Sequence, residues 1–270
     1  MRVEDIDPPR AKPGASDAIL RELERFGLEW DGPVSYQSGS RLQHDRALEQ
    51  LAAQGATYEC GCSRRDLEVK SSSSLGPIYP GTCREGTRAR VTALRVRTDN
   101  RLLTFDDLIQ GKQQHHLERE SGDFVVLRKD RLIAYQLAVV VDDHLQGVTE
   151  VVRGIDLMDS TPRQIWLQQL LGYETPVYAH IPIAVDDNGR KLSKSHGAPP
   201  VAEMHAVAVL FAALQFLDQE PPPALRHASL NALLDWAIDA WNIDRLRGKT
   251  ERLTSENLYH MPKSGAVKKP

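Results

Sequence analysis

The chain contains 270 residues, of which 41% are hydrophobic and 26% are charged, and its formal net charge at pH 7 is −3. This composition and length are ordinary for a globular protein with one large or two modest domains. The net charge excludes a polycation, so nucleic acid would have to bind a local basic surface. A count of three cysteines excludes a disulfide scaffold. The N-terminus shows no signal peptide, and no apolar run reaches the ~20 residues of a membrane helix. The chain is therefore expected to be cytoplasmic.

Residues 1–56 predict one strand and two helices. The stretch "MRVEDID" is typical of the end of a strand that runs into a loop at two prolines. The segment "SDAILRELERFG" has apolar residues at helical spacing, with Ser16 as the candidate N-cap. A second helix is predicted in "RLQHDRALEQLAAQG", with Leu42, Leu48 and Leu51 on one buried face and a glycine at its end.

Residues 57–90 have a different composition, which is typical of an inserted, loop-rich subdomain. Cys60 and Cys62 form a C-x-C pair, and Cys83 follows them. Thiolates gathered in a loop-rich segment of a cytoplasmic protein usually make a structural zinc site, which would replace the core that a small insert cannot build. Three ordinary reduced cysteines are the alternative. The candidates for a fourth ligand are Tyr79, Asp66 and Glu59.

Residues 91–200 predict alternating strands and helices. Runs such as "ALRVRT" and "DFVVLRK" indicate strands, and "AYQLAVVVDDHLQG" indicates a mostly buried helix before the strand "VTEVVRG". The segment "STPRQIWLQQLLG" predicts a helix that Ser160 or Thr161 caps. "VYAHIPIAV" predicts one more strand, which leads into the loop "DDNGRKLSKSHG". This alternation indicates an α/β fold.

Residues 201–270 predict a helical C-terminal region with a frayed tail. The apolar segments "VAVLFAALQFL" and "ALRHASLNALLDWAIDAW" indicate two helices, with three prolines between them. The last ~20 residues, which end in "KSGAVKKP", are expected to fray. This region therefore forms a short helical appendage to the α/β part.

Several residues could bind an amino acid. Arg153 ends a predicted strand beside a glycine, where its fork of donors could hold a carboxylate with two hydrogen bonds; the alternative is a surface arginine paired with Asp156. Tyr135 could donate to the same ligand or could simply belong to the core. Glu4 lies with two aspartates on an acidic edge that suits an ammonium group, although a solvated N-terminus explains it equally well.

The stretch "KLSKS" follows a turn of Asp-Asn-Gly. Lysine ammonium groups and serine hydroxyls on a mobile loop could meet a polyphosphate, and a solvated surface loop is the alternative. The candidate ATP-binding residues are Lys191, Ser193, Lys194 and Ser195. Among them, Lys194 is the candidate catalytic residue.

In chain order, "RVEDIDPPR", "YECGCSRRDL" with "YPGTC", "AYQLAVVVDDHLQGVTEVVRGIDL" and "KLSKS" resemble the catalytic core of class I glutamyl-tRNA synthetases over roughly residues 1–240. Within that family the chain is most similar to the short glutamyl-Q tRNA(Asp) synthetase paralogues, since it has the C-x-C…Y-x-x-x-C pattern and no large anticodon-binding region. The resemblance implies a Rossmann-like α/β catalytic core at 1–56 and 91–200, a zinc-binding insert at 57–90 and a helical region at 201–270.

The resemblance also implies a reaction. L-glutamate would be activated by ATP, with Mg²⁺, to glutamyl-adenylate. The glutamyl group would then be transferred to the queuosine base at the wobble position of tRNA(Asp). The protein would act as a monomer that binds the anticodon stem-loop of this tRNA. Glu4 and Tyr135 would hold glutamate, Arg153 would grip its carboxylate, and Lys194 would bind ATP phosphates. The implied Zn²⁺ ligands are Cys60, Cys62, Tyr79 and Cys83. The alternatives are ordinary glutamylation of tRNA 3′ ends and a non-catalytic zinc-stabilised RNA-binding remnant.

Two further features concern ATP and tRNA. The phosphate-binding signature of the family, R-F-A-P-S-P-S-G-x-L-H-x-G, does not occur in this sequence, which opens where the family enters its second strand. We expect either a true start codon upstream of Met1 or a truncated relic that cannot activate glutamate. Contacts to tRNA phosphates are expected from basic residues near the cysteines, with a solvated basic face as the alternative. These residues are Arg64, Arg65, Arg84, Arg88 and Arg90.

Overall fold

The chain forms two compact units. The computed structural model describes residues 1–8, 11–63, 66, 72–73, 76–186, 189, 191–192 and 201–253. Unit 1 comprises Met1–Ala11, Pro33–Asp107 and Lys112–Ala179. Unit 2 comprises Lys12–Gly32, Leu108–Gly111 and His180–Pro270. None of the helices found among the described residues combines the length and the apolarity that a bilayer crossing needs.

Helices and strands alternate through most of the described chain, as α/β proteins require. In chain order, the helices are α1 (Ala15–Arg25), α2 (Arg41–Ala53), α3 (Tyr135–Leu145), α4 (Thr161–Leu171), α5 (Ala206–Phe216) and α6 (Leu230–Ala240). The strands are β1 (Arg2–Val3), β2 (Ser35–Tyr36), β3 (Thr57–Cys60), β4 (Ser72–Ser73), β5 (Gly76–Pro77), β6 (Ala93–Val96), β7 (Leu102–Asp107), β8 (Gly111–His116), β9 (Phe124–Leu127), β10 (Glu150–Gly154), β11 (Val177–Ile181), β12 (Ile183–Val185) and β13 (Glu251–Leu253).

The strands of unit 1 form several short sheets. β1 pairs with β2 in parallel. β6 lies between β3 and β9 and is antiparallel to both. A four-stranded sheet has the order β10-β11-β7-β8, in which β11 and β7 run parallel. Because β1 and β10 end at Val3 and Gly154, the sheets bring the acidic edge and Arg153 to strand ends, where α/β proteins bind ligands.

The core of unit 1 is built by α2, α3 and α4, which pack against one another. Leu51, Leu137 and Leu167 each come from a different helix and are fully buried. Burial of such a side chain contributes about 1.5–3 kcal/mol. α3 is buried at every position from Leu137 to Asp142, so it is apolar around most of its circumference rather than along one stripe.

Unit 2 has a smaller core between α5 and α6. Val207, Phe211 and Leu233 are buried there, and Gly27 approaches the leucines of α6. α1 contributes none of its residues to a buried core, and Arg25 at its end donates hydrogen bonds of 2.7 Å to the carbonyl oxygens of Met204 and Val201. A parallel pair of strands, β12 and β13, completes the described part of this unit.

Most of the predicted elements are confirmed. The helix in "AYQLAVVVDDHLQG" is α3, the strand after it is β10, and the helix in "STPRQIWLQQLLG" is α4. The predicted strands "ALRVRT" and "DFVVLRK" contain β6 and β9. The frayed tail lies outside the described residues.

Two details of the N-terminal helices were predicted wrongly. Ser16 does not cap α1, because the N-cap is Gly14 in a left-handed conformation with φ of 74°, so Ser16 lies inside the first turn. Leu42 does not lie on the buried face of α2, since it is 60% exposed, and His44 occupies the buried position instead. His44 is stable there because its ring hydrogen-bonds the Asp142 carboxylate at 3.0 Å.

The end of the chain also differs from the prediction. "VYAHIPIAV" is not one strand, because it breaks at Pro182 into β11 and β12, and proline has no N–H to donate to a ladder. The region after residue 200 is not entirely helical, because β13 hydrogen-bonds along β12. This long-range pairing has no local sequence signal.

Candidate functional site

Unit 1 contains a cleft of about 280 Å³ between the segment after β1 and the start of α3. Its polar lining residues are Glu4, Asp7, Gln37, Arg128 and Tyr135. Arg128 donates to Asp7 at 3.3 Å, so the cleft has acidic and basic groups at its wall. The cleft is smaller than the ~300–1,000 Å³ pockets that hold drug-sized ligands, and its size suits a small zwitterion such as an amino acid.

Tyr135 and Arg153 act on each other electrostatically. Burial raises the pKa of the Tyr135 hydroxyl, the nearby Arg153 charge lowers it, and the Glu4 carboxylate raises it. The three residues expected to bind an amino acid therefore lie close enough to influence one another. Glu4 and Tyr135 line the same cleft, whereas Arg153 lies on β10 and influences the Tyr135 hydroxyl through its charge.

Arg153 is held in place by the beginning of α4. It donates to the Gln164 side-chain oxygen at 2.9 Å and to the Thr161 hydroxyl at 2.7 Å. Its guanidinium also lies 5.3 Å from the centre of the Tyr178 ring, within cation–π range. Thr161, Gln164 and Tyr178 are all buried, so Arg153 contacts the interior of unit 1.

Glu4 belongs to an ion cluster that the sequence analysis missed. Arg2 donates to Glu4 at 3.1 Å, to Asp143 at 2.6 Å and to Gln146 at 2.8 Å. Burial lowers the pKa of Arg2, but its bonds to Asp143 and Glu4 outweigh burial and raise the pKa overall. The cluster fixes the Glu4 carboxylate at the mouth of the cleft.

A second missed group lies behind the cleft wall. Gln37 and His44 both hydrogen-bond the buried Asp142 carboxylate, at 2.7 Å and 3.0 Å. Burial raises the pKa of Asp142, but these hydrogen bonds lower it below its ordinary value. Because Gln37 also lines the cleft, this buried group ties the cleft wall to α2 and α3. No motif in the sequence marks this group, because both helices carry several other polar residues.

The cysteines form a compact cluster in unit 1, as their spacing predicts. The sulfur atoms of Cys60, Cys62 and Cys83 lie within 4.8 Å of one another, and those of Cys62 and Cys83 are 3.6 Å apart. The Tyr79 hydroxyl oxygen is 3.4 Å from the Cys60 sulfur and 3.6 Å from the Cys62 sulfur. Tetrahedral zinc with ordinary bond lengths needs separations of about 3.8 Å between sulfurs and about 3.5 Å between oxygen and sulfur. The donor set therefore fits a metal of this kind.

Backbone contacts fix Tyr79 beside the thiols. The Cys83 N–H donates to the Tyr79 hydroxyl oxygen at 2.8 Å. Tyr79 also forms a β-bridge with Gly122, whose missing Cβ would lie 2.8 Å from the Tyr79 nitrogen. The Tyr79 hydroxyl is thus held by the main chain of its own loop, and the Tyr79 backbone is held by a segment distant in sequence.

The thiols of the cluster differ in acidity. Burial raises the pKa of the Cys62 thiol. Burial also opposes ionisation of Cys83, but hydrogen bonds from Tyr79 and from the Gly61 backbone lower its pKa to about 7. A metal ligand must be a thiolate, and Cys83 reaches that form more easily than Cys62 does.

The other two candidates for the fourth ligand, Asp66 and Glu59, have surroundings that differ from those of Tyr79. The Asp66 carboxylate accepts hydrogen bonds from the backbone and hydroxyl of Ser63, at 2.6 Å and 2.8 Å. Glu59 is exposed on β3, whereas the next residue, Cys60, is buried. Neighbouring residues of a strand point to opposite faces, so Glu59 points away from the thiols.

Of the arginines near the cysteines, Arg84 is engaged inside the protein. It donates two hydrogen bonds of 2.6 Å to the buried Asp123 carboxylate and one of 2.9 Å to Glu118. Arg88 and Arg90 are exposed and available to a phosphate. Arg64 and Arg65 lie outside the described residues.

Only the beginning of the "KLSKS" stretch is described. The predicted turn is present, since the Gly189 N–H donates to the Asp186 carbonyl at 2.9 Å and Gly189 has φ of 72°. Lys191 is exposed and bridges to Val185 of β12. Ser193, Lys194 and Ser195 lie outside the described residues.

Comparisons with known proteins agree on a family. The family model described as tRNA synthetases class I (E and Q), catalytic domain, matches residues 1–209. Proteins named glutamyl-Q tRNA(Asp) synthetase are 47% identical over 247 residues in Pseudomonas aeruginosa and 50% identical over 246 residues in Aromatoleum aromaticum. These alignments cover 91% and 90% of this chain, and 83% and 78% of the two relatives.

Solved structures show the same fold at lower identity. A glutamate tRNA ligase from Elizabethkingia meningosepticum, solved in complex with its amino acid, superposes with a TM-score of 0.73 at 20% identity. The match covers 95% of this chain and 60% of that protein, so the chain spans about 60% of its length. The chain therefore belongs to the class I tRNA synthetases of the E and Q type, a family of aminoacyl-tRNA ligases with an α/β catalytic domain.

Proposed function

We propose that the protein activates L-glutamate with ATP to form glutamyl-adenylate, and transfers the glutamyl group to the queuosine base at the wobble position of tRNA(Asp). The observation that carries this proposal is the 47–50% identity to proteins of that name over about 90% of the chain. Ordinary glutamylation of tRNA 3′ ends is less well supported, because these relatives carry the glutamyl-Q name. We place the reaction in the cytoplasm and expect a monomer.

The cleft of unit 1 supports glutamate as the amino acid. In our proposal, the Glu4 carboxylate receives the substrate ammonium group, while Tyr135 and Arg153 receive a substrate carboxylate. A carboxylate and a guanidinium that both act on one small ligand would select a zwitterion by position as well as by charge. The Arg2 contacts described above hold Glu4 for this role.

Adenylate formation needs positioning and charge neutralisation rather than a side-chain nucleophile. A carboxylate oxygen of glutamate attacks the α-phosphorus of ATP, and the bond to pyrophosphate breaks with its electron pair on the leaving oxygen. Lys194 and Mg²⁺ would neutralise the negative charge that grows on the pyrophosphate. In this proposal Lys191, Ser193 and Ser195 hold the same phosphates.

We further propose Zn²⁺ as the metal of the cysteine cluster, held by Cys60, Cys62, Cys83 and Tyr79. When bound, it supplies a crosslink that stabilises the insert at residues 57–90. The four residues come from two segments, so one ion would join the end of β3 to the loop that carries Tyr79 and Cys83. The catalytic core would then consist of residues 1–56 and 91–200, followed by the helical region at 201–270.

Exchange of labelled pyrophosphate into ATP tests the activation step. Exchange that depends on L-glutamate is expected, and Lys194→Ala should reduce its rate by about 10²–10³-fold. Lys112→Ala removes an exposed lysine outside the proposed site and serves as the matched control. Equal rates in Lys194→Ala and wild type would remove Lys194 from the mechanism. The assay should use the printed chain and, where the reading frame continues upstream of Met1, the extended chain.

Transfer to RNA distinguishes the three candidate functions. The acceptors are a synthetic tRNA(Asp) anticodon stem-loop with queuosine, the same stem-loop with guanosine, and full-length tRNA without queuosine. Labelled glutamate should appear only on the queuosine stem-loop. Labelling of the full-length tRNA without queuosine would favour ordinary aminoacylation, and RNA binding without exchange or transfer would favour the non-catalytic remnant.

A further inference from the structure

A second cavity of unit 1 adjoins the cleft that we assign to the amino acid. Its volume is about 170 Å³, far more than the ~10–15 Å³ that one water molecule needs. The two spaces share Ile6, Gln37 and Ile133 as lining residues. The other polar residues that line the second cavity are Asp5, Ser38, Arg41 and His44. A group bound in this cavity would therefore lie beside a glutamyl group bound in the cleft.

The His44 ring has a fixed orientation toward Asp142. Its Nε2 lies 3.0 Å from the Asp142 carboxylate, which also accepts a hydrogen bond of 2.7 Å from Gln37. Burial raises the pKa of Asp142, but these hydrogen bonds outweigh burial and lower it, so Asp142 keeps its negative charge. A carboxylate can only accept, so Nε2 of His44 must carry a hydrogen. In the neutral imidazole the other nitrogen, Nδ1, is then an acceptor.

Two acceptors at this cavity have no donor among the residues that the structure describes. Gln37 and His44 are each only 1% exposed, and both line the cavity. The Gln37 side-chain oxygen has no hydrogen-bond partner within the described part of the chain. The ring of His44 hydrogen-bonds only Asp142 there, through Nε2. Buried acceptors are normally satisfied, so this pair points to a ligand that carries hydroxyl hydrogens.

We propose that His44 is the general base of the transfer step, and that the acceptor hydroxyl binds in the second cavity beside the glutamyl-adenylate. This inference rests on the proposed function and concerns its second step. The hydroxyl oxygen attacks the carbonyl carbon of the glutamyl group, while the hydroxyl proton moves to Nδ1 of His44. The bond from that carbon to the AMP oxygen breaks with its electron pair on the oxygen, so an ester and AMP are formed. The imidazolium then releases its proton to solvent.

Asp142 and Gln37 support this role. The Asp142 carboxylate faces the ring from α3 and would stabilise the imidazolium that forms when Nδ1 takes the proton. The queuosine base carries a diol on its cyclopentene ring, so one hydroxyl can donate to Nδ1 while the other donates to the Gln37 oxygen. Two such contacts orient the attacking oxygen. The activation step needs no base, because the glutamate carboxylate attacks ATP without losing a proton.

The test measures the two steps separately in His44→Gln. The glutamine amide keeps a donor for Asp142 but places no basic nitrogen at the cavity. Pyrophosphate exchange should keep its wild-type rate, whereas single-turnover transfer to the queuosine stem-loop should slow by about 10²–10⁴-fold. His144→Gln makes the same substitution at an exposed position of α3 and is the matched control. Both of its rates should equal those of wild type.

Rescue by imidazole is the second measurement, and it serves if His44→Gln does not fold. His44→Ala removes the ring and leaves space for free imidazole beside the cavity. Added imidazole should raise the transfer rate of His44→Ala, because it can accept the proton in place of the missing side chain. The transfer rate of wild type should not respond. A transfer rate of His44→Ala that imidazole leaves unchanged would overturn the inference.

The remaining outcomes separate this inference from the proposed function. Transfer at the wild-type rate in His44→Gln overturns the inference, and the proposed function stands. Equal losses of exchange and transfer in His44→Gln would show that His44 is needed only for the structure, which also overturns it. If wild type neither exchanges pyrophosphate nor transfers glutamate, the proposed function fails and the inference fails with it.

Discussion

The Arg95 guanidinium lies 3.9 Å from the centre of the Tyr79 ring, beside the cysteine cluster. Arg95 is only 8% exposed, and its hydrogen bond goes to the Asp123 carbonyl oxygen at 2.7 Å rather than to a carboxylate. Three thiolates and a phenolate around Zn²⁺ would carry a net charge of about −2. A buried cation at this position would offset that charge and hold the Tyr79 ring in place.

We expect Arg95→Met to lower the affinity for zinc by about 10–100-fold, the usual effect of losing a residue that supports a metal ligand. The measurement is competition against a chromophoric chelator. Arg97→Met is the matched control, because Arg97 also stacks on a tyrosine, Tyr58, at 4.7 Å and also donates to a carbonyl oxygen. Equal zinc affinities for the two variants would show that Arg95 has no special role at the metal.

Gly122 should be intolerant of any side chain. It has φ of 60° and ψ of 178°, a region that is nearly restricted to glycine, and a Cβ there would lie 2.9 Å from the Tyr79 carbonyl oxygen. Backbone strain of this kind costs about 1–3 kcal/mol, so Gly122→Ala should lower the free energy of unfolding by at least that amount. The Tyr79 backbone must also move, so zinc content should fall.

Gly111→Ala is the control for this effect. Gly111 also has a positive φ, of 69°, but no atom lies within 4 Å of its Cβ position. Urea unfolding should show a smaller loss in Gly111→Ala, with zinc content unchanged. A Gly122→Ala variant that is no less stable than Gly111→Ala, and keeps its zinc, would contradict the role given to the close approach.

Asp123 should make stability depend on pH in acid. Burial raises its pKa, but hydrogen bonds from Arg84 and Tyr58 outweigh burial and hold the pKa below its ordinary value. The folded state therefore binds fewer protons than the unfolded state in this range. The stabilising contribution is complete above the ordinary aspartate pKa of about 3.9 and is lost as the pH falls through the lower, folded value.

The free energy of unfolding should thus fall between about pH 5 and pH 3 more steeply in wild type than in Asp123→Asn. Asp123→Asn should also be less stable at pH 6 by about 3–5 kcal/mol, because it leaves Arg84 without its buried partner. Tyr58→Phe removes one hydrogen bond to Asp123 and provides a milder variant if Asp123→Asn does not fold. Parallel pH profiles for wild type and both variants would refute the assignment.

The two leucines assigned to one face of α2 should respond differently to truncation. Leu51 is 0% exposed and Leu42 is 60% exposed. Leu51→Ala should cost about 2–5 kcal/mol, through lost burial and the cavity left behind. Leu42→Ala should change the free energy of unfolding by less than about 0.5 kcal/mol. Similar losses in both variants would mean that α2 buries a different face in solution.

The sequence predicted elements well where an apolar run was bounded by glycine. α3, β10 and α4 were all found from apolar patterns with glycine at the helix ends. The cysteine cluster was also predictable, because C-x-C spacing and a third cysteine leave few other uses in a loop-rich segment. The position of Tyr79 beside the sulfur atoms, however, depends on the Tyr79–Gly122 bridge, which joins residues that are far apart in sequence.

The missed features are long-range hydrogen bonds between polar residues. Gln136 and Gln164 come from different helices, and nothing in either helix pattern indicates that the two amides meet. The same holds for His44 and Asp142, whose mutual bond lets a polar residue occupy a buried helix face where Leu42 was expected. Apolar periodicity predicts which face is buried only when polar residues have no buried partner.

The parallel pairing of β12 with β13 links the far end of the described chain to the approach to "KLSKS". Val185 pairs with Leu253 along one edge of β12 and bridges to Lys191, while the Leu192 N–H donates to the Ala184 carbonyl at 2.8 Å. Residues 251–253 therefore support, through backbone pairing, the strand that leads into the ATP-binding stretch of our proposal. Trimming the protein at residue 250 would free one side of that strand, with consequences some sixty residues upstream of the cut.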